Sequence, residues 1–331
     1  MKNNKVLVTG GTGFVGTYLV KRLAGIGYSV CVLARTLDTA SHLQNLPNVV
    51  ILQGDIRDSA AVENALKDID TVYHLAASFR SETISDYDLN QINVTGTENM
   101  LKAAAQAEVK RFVHVSTVGV HGVPDQQPGD ESFPYQADNR VAISKTEGEK
   151  IAIKYMQDSD LSITIVRTGP GVYGPGDMRY LKLFKGINKG RFIVFGSGEI
   201  NYQIIFVEDL VDGLILAATK EEAIGEIFIM TGNHAITLNE LVAKVANTLG
   251  VNGPKFRLPV MPVYYAGYLC EIVCKPFGIS PPLYRRRVDF FRNSRSFSIK
   301  KANQVLGFQP KVSYEEGLAR TADWYKQMGY L

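Results

Sequence analysis

The sequence is short of most features that would mark a specialised chain. It has three cysteines in 331 residues, Cys31, Cys270 and Cys274, and none has a histidine at metal-ligand spacing. A disulfide framework and a cysteine-based metal centre are therefore not expected, and the odd count fits buried free thiols in a reducing compartment. Charge of one sign is lacking as well: 36 Lys and Arg stand against 33 Asp and Glu, a net +3 that is too slight to point to nucleic acid. Met1-Lys2-Asn3-Asn4 runs straight into an apolar strand, without the longer apolar region and cleavage site of an export signal, which predicts a cytoplasmic protein. No segment reaches the ~18 uninterrupted apolar residues of a membrane-spanning helix. Residues 258–279 are locally rich in apolar and aromatic side chains, and we read them as a packed or ligand-facing helix rather than one lying on a membrane surface. Internal repeats, low-complexity tracts and flexible linkers are absent too, so the regions described next are expected to share an interface.

What is present is an alternation. Apolar, β-branched runs at Lys5–Thr9, Ser29–Ala34, Val49–Gln53, Thr71–Leu75, Arg111–Ser116 and Ser162–Val166 are separated by helical patterns near 14–26, 59–67, 90–107 and 139–157. That order predicts an α/β fold, a Rossmann-type doubly wound parallel sheet. After Arg167 the rhythm gives way to Gly/Pro-rich sequence through Asp177, with too few strands to continue it. The expected division is a dinucleotide-binding domain over 1–168, with a returning helix near 207–219, and a smaller, mixed, mostly substrate-binding region over 169–331. Thr237 with Glu240 and Ser313 with Glu316 read as capping boxes, and Gly307 as the stop of a helix beginning near Ser298.

Thr9-Gly10-Gly11-Thr12-Gly13-Phe14-Val15-Gly16 follows a strand and opens a helix. The first glycine permits a tight turn, the second lets backbone approach a pyrophosphate, and the third allows close packing of the helix. Free N–H groups and the positive end of the helix dipole then suit a diphosphate. At the end of the second strand an acid would bind both ribose hydroxyls of NAD; Ala34 cannot, and Arg35 can pair with a 2′-phosphate, so NADP(H) is preferred and NAD(H) stays open.

With these motifs the chain resembles the extended short-chain dehydrogenase/reductase family. The resemblance continues through Gly54-Asp55-Ile56-Arg57-Asp58, His74-Leu75-Ala76-Ala77, Asn93 to Thr97, Val115-Ser116-Thr117, Ser144-Lys145 and Val172 to Asp177. The C-terminal motifs Pro281-Pro282-Leu283-Tyr284-Arg285, Leu306-Gly307-Phe308-Gln309-Pro310 and Glu315 to Trp324 are similar to its hydroxysteroid-dehydrogenase-like branch. The resemblance implies that Asp55 and Ile56 contact adenine and that Ala76 and Ala77 line the groove behind the pyrophosphate. It also implies that Thr117 hydrogen-bonds the substrate oxygen beside Ser116, and that Lys145 lowers the pKa of a tyrosine four residues earlier while holding the nicotinamide ribose. That position is Val141. Valine neither gives nor accepts a proton, and loss of such a group typically costs about 10²–10⁴ in rate.

His121, Tyr135 and Tyr173 are the candidate replacements, His121 foremost. Tyr173 and the arginines Arg285 and Arg295, in a cluster with Arg286, Arg287 and Arg292, are candidates for substrate binding; the cluster reads equally as a diphosphate site or a solvated face. Tyr264, Tyr265, Tyr268, Phe277, Phe290 and Phe291 read as core before substrate pocket, and Asp209 as a helix N-cap. The partner expected is a small-molecule substrate, apolar or a sugar nucleotide, and a homodimer is open to the chain. Two readings follow: an NAD(P)-dependent oxidoreductase or epimerase with an altered proton path, or a catalytically impaired NADP(H)-binding sensor or scaffold.

Overall fold

The computed structural model describes residues 5–79, 84–254, 256–277, 281–283, 285, 288 and 291–331. Tyr284, Arg286, Arg287 and Phe290 fall outside the described residues. Strands β1 (Lys5–Thr9), β2 (Ser29–Ala34), β3 (Val49–Gln53), β4 (Thr71–His74), β5 (Arg111–Thr117) and β6 (Ile163–Thr168) pair in parallel, in the order β6-β5-β4-β1-β2-β3. Alternation sets the two faces. Val6, Val8, Val30, Val32, Val113 and Val166 pack against the helices Phe14–Gly25 and Val207–Thr219. Leu7, Cys31, Val72, Phe112, Ile163 and Ile165 pack on the other face against helices that include Gly96–Gln106 and Arg140–Asp158. Strand order reverses between the parallel neighbours β1 and β4, and the C-terminal end of such a switch point is where open α/β sheets bind ligands.

The downstream region returns to the sheet twice, not once. The helix Val207–Thr219 covers one face as expected, and Ile227–Met230 adds a seventh strand beside β6. Its four consecutive apolar residues carry no alternation because both of its faces are covered, and so it escapes a period-two pattern. The rest of that region forms a second core around Phe184, Phe206, Leu241, Leu318 and Tyr325. Thr237 and Glu240 make the reciprocal capping box, Ser313 Oγ accepts the Glu316 N–H, and Gly307 ends the helix Lys300–Leu306 at φ +69°. Asp209 is not an N-cap. It lies inside the first turn of its helix, and its carboxylate accepts the Lys311 and Val312 N–H groups, which pins the final segment of the chain onto the sheet domain.

The helix Val260–Cys274 departs most from expectation. Tyr265, Tyr268 and Phe277 are exposed rather than in a core, and Cys270 and Cys274 are half-buried, whereas Cys31 is buried. A helix apolar on every side carries no periodicity to say which face turns inward.

Between Asp86–Asn90 and Gly96–Gln106 the chain makes one π-helical turn, Gln91–Thr95. The helix Arg140–Asp158 presses on it at Gly148, where a methyl group would stand 2.2 Å from Asn93 O. Helix propensity favours alanine over glycine by about 1 kcal/mol, whereas overpacking costs about 1–3 kcal/mol. Gly148→Ala is expected to destabilise the fold in urea denaturation, and a gain in stability would show that the helices do not meet this closely.

Candidate active site

The glycine turn is built by steric necessity. Gly10 has φ +71°, and a Cβ there would lie 2.7 Å from the Ala76 nitrogen; a Cβ on Gly16 would lie 2.1 Å from Gly10 O. Gly13 has only Gly10 O at 3.2 Å and is the helix N-cap, with no side chain capping the N–H groups that follow. Two glycines thus close the turn and the third leaves backbone donors open at a positive helix end, a cradle that fits a dinucleotide pyrophosphate. Thr12, Val15 and Phe14 flank it half-buried, and Phe14 is held by the Arg179 guanidinium 5.5 Å from its ring. Ala76 N–H donates to Thr9 Oγ1 at 3.3 Å, and Ala77 follows on the same loop. Arg35 is exposed at the end of β2, while Asp55 is held below the ordinary carboxylate range: partial burial raises it, but hydrogen bonds from the Arg57 side chain and N–H outweigh this. The Ile56 side chain is buried against Gly96.

At the C-terminal end of β5 several of the candidate residues gather. Lys145 is buried, and its Nζ donates to Val115 O at 2.7 Å, two residues before Thr117 in β5. Burial brings its ammonium down to about 8, although Glu149 opposes the fall. Thr117 Oγ1 accepts the Gly119 N–H at 3.0 Å, and a Cβ on Gly119 would sit 3.3 Å from that oxygen and 3.8 Å from Ala142 Cβ. Thr117 and the first turn of the helix Arg140–Asp158, where Val141 lies half-buried, therefore border one spot. Ser116 Oγ is buried without a protein partner among the described residues. Asn93, at the π turn, accepts the Ser78 N–H and donates to Ser78 O and Ser144 Oγ, and so clamps the loop after β4 to the lysine-bearing helix.

The three candidates for the missing phenol are occupied elsewhere. His121 is fully buried; its Nδ1 lies 3.1 Å from Pro134 O and its Nε2 lies 2.9 Å from Arg167 Nη1. Since guanidinium only donates, Nε2 must accept, the proton sits on Nδ1, and the ring is a neutral imidazole with both nitrogens engaged. Burial, helped by the Arg167 charge, holds its pKa below the usual value. Tyr135 donates to Glu149 Oε1 at 2.8 Å and is pushed up to about 12 by burial and by that carboxylate. Tyr173 is buried in the second core, edge-on to Tyr180 and Phe206, and burial raises its pKa strongly.

Two of the substrate-binding candidates lie apart. Arg285 pairs with Glu271 at 2.8 Å on the Val260–Cys274 helix, whereas Arg295 pairs with Asp138 at 3.1 Å, next to the start of the lysine-bearing helix.

Sequence reasoning missed the group that organises this end of the site. Arg167, in β6, donates to Glu149 Oε1 at 3.0 and 2.6 Å, to His121 Nε2, to Glu131 O and to Tyr135 OH. The available signals were an arginine inside an apolar strand and a glutamate four residues after Lys145, on the same helical face. Both charges are buried. Removing one member of such a pair strands the other and costs about 3–5 kcal/mol. Glu149→Gln is expected to lose that much in urea denaturation; a loss below about 1 kcal/mol, the value of an exposed pair, would contradict the buried geometry.

A model of the NAD dependent epimerase/dehydratase family matches residues 6–230. Short-chain dehydrogenase/reductase family 42E member 1 of Danio rerio is 28% identical over 354 aligned positions, covering 99% of this chain and 90% of that protein. The 3 beta-hydroxysteroid dehydrogenase/Delta 5-->4-isomerase of Mycobacterium tuberculosis (strain ATCC 25618 / H37Rv) is 31% identical over 339 positions, covering 97% of this chain and 90% of that protein. Among solved structures, an epimerase from Methanothermobacter thermautotrophicus superposes with a TM-score of 0.79 at 26% identity, over 98% of this chain and 93% of that one.

Proposed function

From the premise that this chain belongs to the NAD dependent epimerase/dehydratase family, as an extended short-chain dehydrogenase/reductase of the 3β-hydroxysteroid-dehydrogenase-like branch, we propose that it is an NAD(P)-dependent oxidoreductase or epimerase. In this reading it acts on a hydroxyl or carbonyl group, and its proton passes through Lys145 rather than a tyrosine. The observation that carries the reading is the buried Lys145 ammonium, 2.7 Å from Val115 O, two residues before Thr117 in β5, at the same end of the parallel sheet as the glycine turn. A bound nicotinamide would supply or accept the hydride. Thr117 Oγ1 would orient the substrate oxygen, and the space left by a valine where a phenol would stand admits a water between that oxygen and Nζ. A lysine near 8 is matched to proton transfer at working pH in a way that an ordinary lysine is not. Likeness to a 3 beta-hydroxysteroid dehydrogenase over 97% of the chain favours an apolar alcohol or ketone over a sugar nucleotide.

The competing reading, a cofactor-binding sensor or scaffold without turnover, draws on Val141 and on the committed partners of His121, Tyr135 and Tyr173. Turnover decides between them. If Lys145 gives the proton in ketone reduction, its charged form is required, so kcat falls as pH rises through about 8; in alcohol oxidation the amine is required and kcat rises through the same range. Val141→Tyr should raise kcat by about 10² or more, since a positioned acid/base group supplies that much, and should abolish the inflection near 8. A parent chain with no turnover on ketones, 3-hydroxysteroids or sugar nucleotides, together with a Val141→Tyr variant that gains none, would favour the sensor.

Cofactor choice is proposed to rest on Arg35, exposed just past β2, whose last residue is Ala34 rather than an acid. NADPH should bind more tightly than NADH in fluorescence titration. Arg35→Ala should reduce that preference about tenfold, the worth of a charge-assisted bond to a 2′-phosphate. Equal affinities in the parent would refute the assignment.

A further inference from the structure

The helix Val260–Cys274 inverts the usual surface pattern. Its inward positions include Val263, Tyr264, Gly267 and Glu271, the last being the helix's one charged residue, which turns in to bind Arg285. Its outward positions are Met261, Tyr265, Tyr268, Leu269, Ile272 and Val273, none of them charged, with Leu269 and Val273 both 61% exposed. Phe256 and Leu258 on the preceding strand and Phe277 just beyond the helix are exposed as well. Soluble monomers rarely expose a contiguous apolar surface of this extent without a partner for it.

Charge identifies the partner. Residues 255–295 carry eight Lys or Arg against two Asp or Glu, a surplus of six in a chain whose total surplus is three, so the remainder of the molecule is net acidic. In the sequence that surplus flanks the apolar helix on both sides. Arg285 lies 4.7 Å from the Tyr268 ring and Arg292 4.1 Å from the Tyr264 ring, which sets guanidinium groups along the border of the aromatic surface. An apolar face edged by tyrosines and arginines matches the interface of a bilayer, where aromatic rings sit at headgroup level and cations meet anionic lipid. The helix has 15 residues, about 22 Å at 1.5 Å per residue, which is shorter than a hydrocarbon core. No helix among the described residues is long and apolar enough to cross a membrane. We propose that this face docks the protein on the surface of an anionic phospholipid bilayer, with the helix lying in the interfacial plane.

The test is flotation of the full chain with vesicles of phosphatidylcholine alone or of equal parts phosphatidylcholine and phosphatidylglycerol. The parent is expected to float with the anionic vesicles, less with the neutral ones, and to be released in part by high salt. The double variant Leu269→Glu/Ile272→Glu should bind about tenfold less or weaker still, since it removes two apolar side chains from the interface and adds two repelled charges. Leu269→Met/Ile272→Leu should float as the parent does, and thermal unfolding of both variants checks that the fold is intact. Failure of the parent to float with either vesicle, or equal flotation of the glutamate variant, overturns the proposal. So does a parent that is dimeric without lipid alongside a monomeric glutamate variant, because the face would then belong to a second copy of the chain.

Discussion

The Arg167 guanidinium is the point on which one end of the candidate site turns. It sits on β6, in the apolar interior, and its donors reach the helix Arg140–Asp158 through Glu149, the segment after β5 through His121, and the following loop through Glu131 O and Tyr135. Glu131 in turn accepts the Ile229 N–H, so the seventh strand is tied to the same node. A guanidinium has no lone pair to offer, and every partner must present an acceptor toward it. That one requirement sets the His121 tautomer, directs the Tyr135 hydroxyl hydrogen to Glu149, and fixes the register of the helix that carries Lys145.

A consequence is that the two halves of the site are held by different means. The cofactor half depends on backbone: glycines that no side chain could replace, a helix end with uncapped N–H groups, and the Ala76 amide against Thr9. The half around Lys145 depends on buried side chains, Asn93 to Ser144 on one side of it and Glu149 to Arg167 on the other. Residue 141 belongs to neither scaffold. Its carbonyl accepts the Ser144 hydroxyl, but its side chain is half-buried at the rim, so valine stands there without disturbing the position of Lys145.

How much could be read from sequence follows from the same division. The first three strands match their apolar runs end to end, and the next three differ by one or two residues, because parallel strands bounded by turn residues carry a strong local signal. The glycine turn was legible for a related reason, since each glycine answers a local steric demand. The strand Ile227–Met230 was hidden because four apolar residues read alike as strand or buried helix. The π turn at Gln91–Thr95 was hidden inside a continuous helical pattern. The Arg167 network was invisible because its members, at 121, 131, 135, 149 and 167, are brought together only by the β5–β6 pairing and the helix laid across it. Sequence alone made His121 the foremost of three candidate replacements; its partner Arg167 lies 46 residues away.

The apolar helix poses the opposite problem. Its composition was plain in the sequence, but composition does not choose between burial, ligand and membrane. Direction decides it: Glu271 faces inward to Arg285, whereas Leu269, Ile272 and Val273 face out. Were the helix destined for the protein core, turning its single charge inward and its leucine and isoleucine outward would bury a carboxylate and expose hydrocarbon, each unfavourable in water. Both become favourable if the outer medium is not water. The inward carboxylate is then removed from a layer that would repel it, and it holds an arginine at the layer's edge. The helix is therefore oriented consistently for one environment and inconsistently for the other, an argument that needs neither the fold family nor the identity of the substrate.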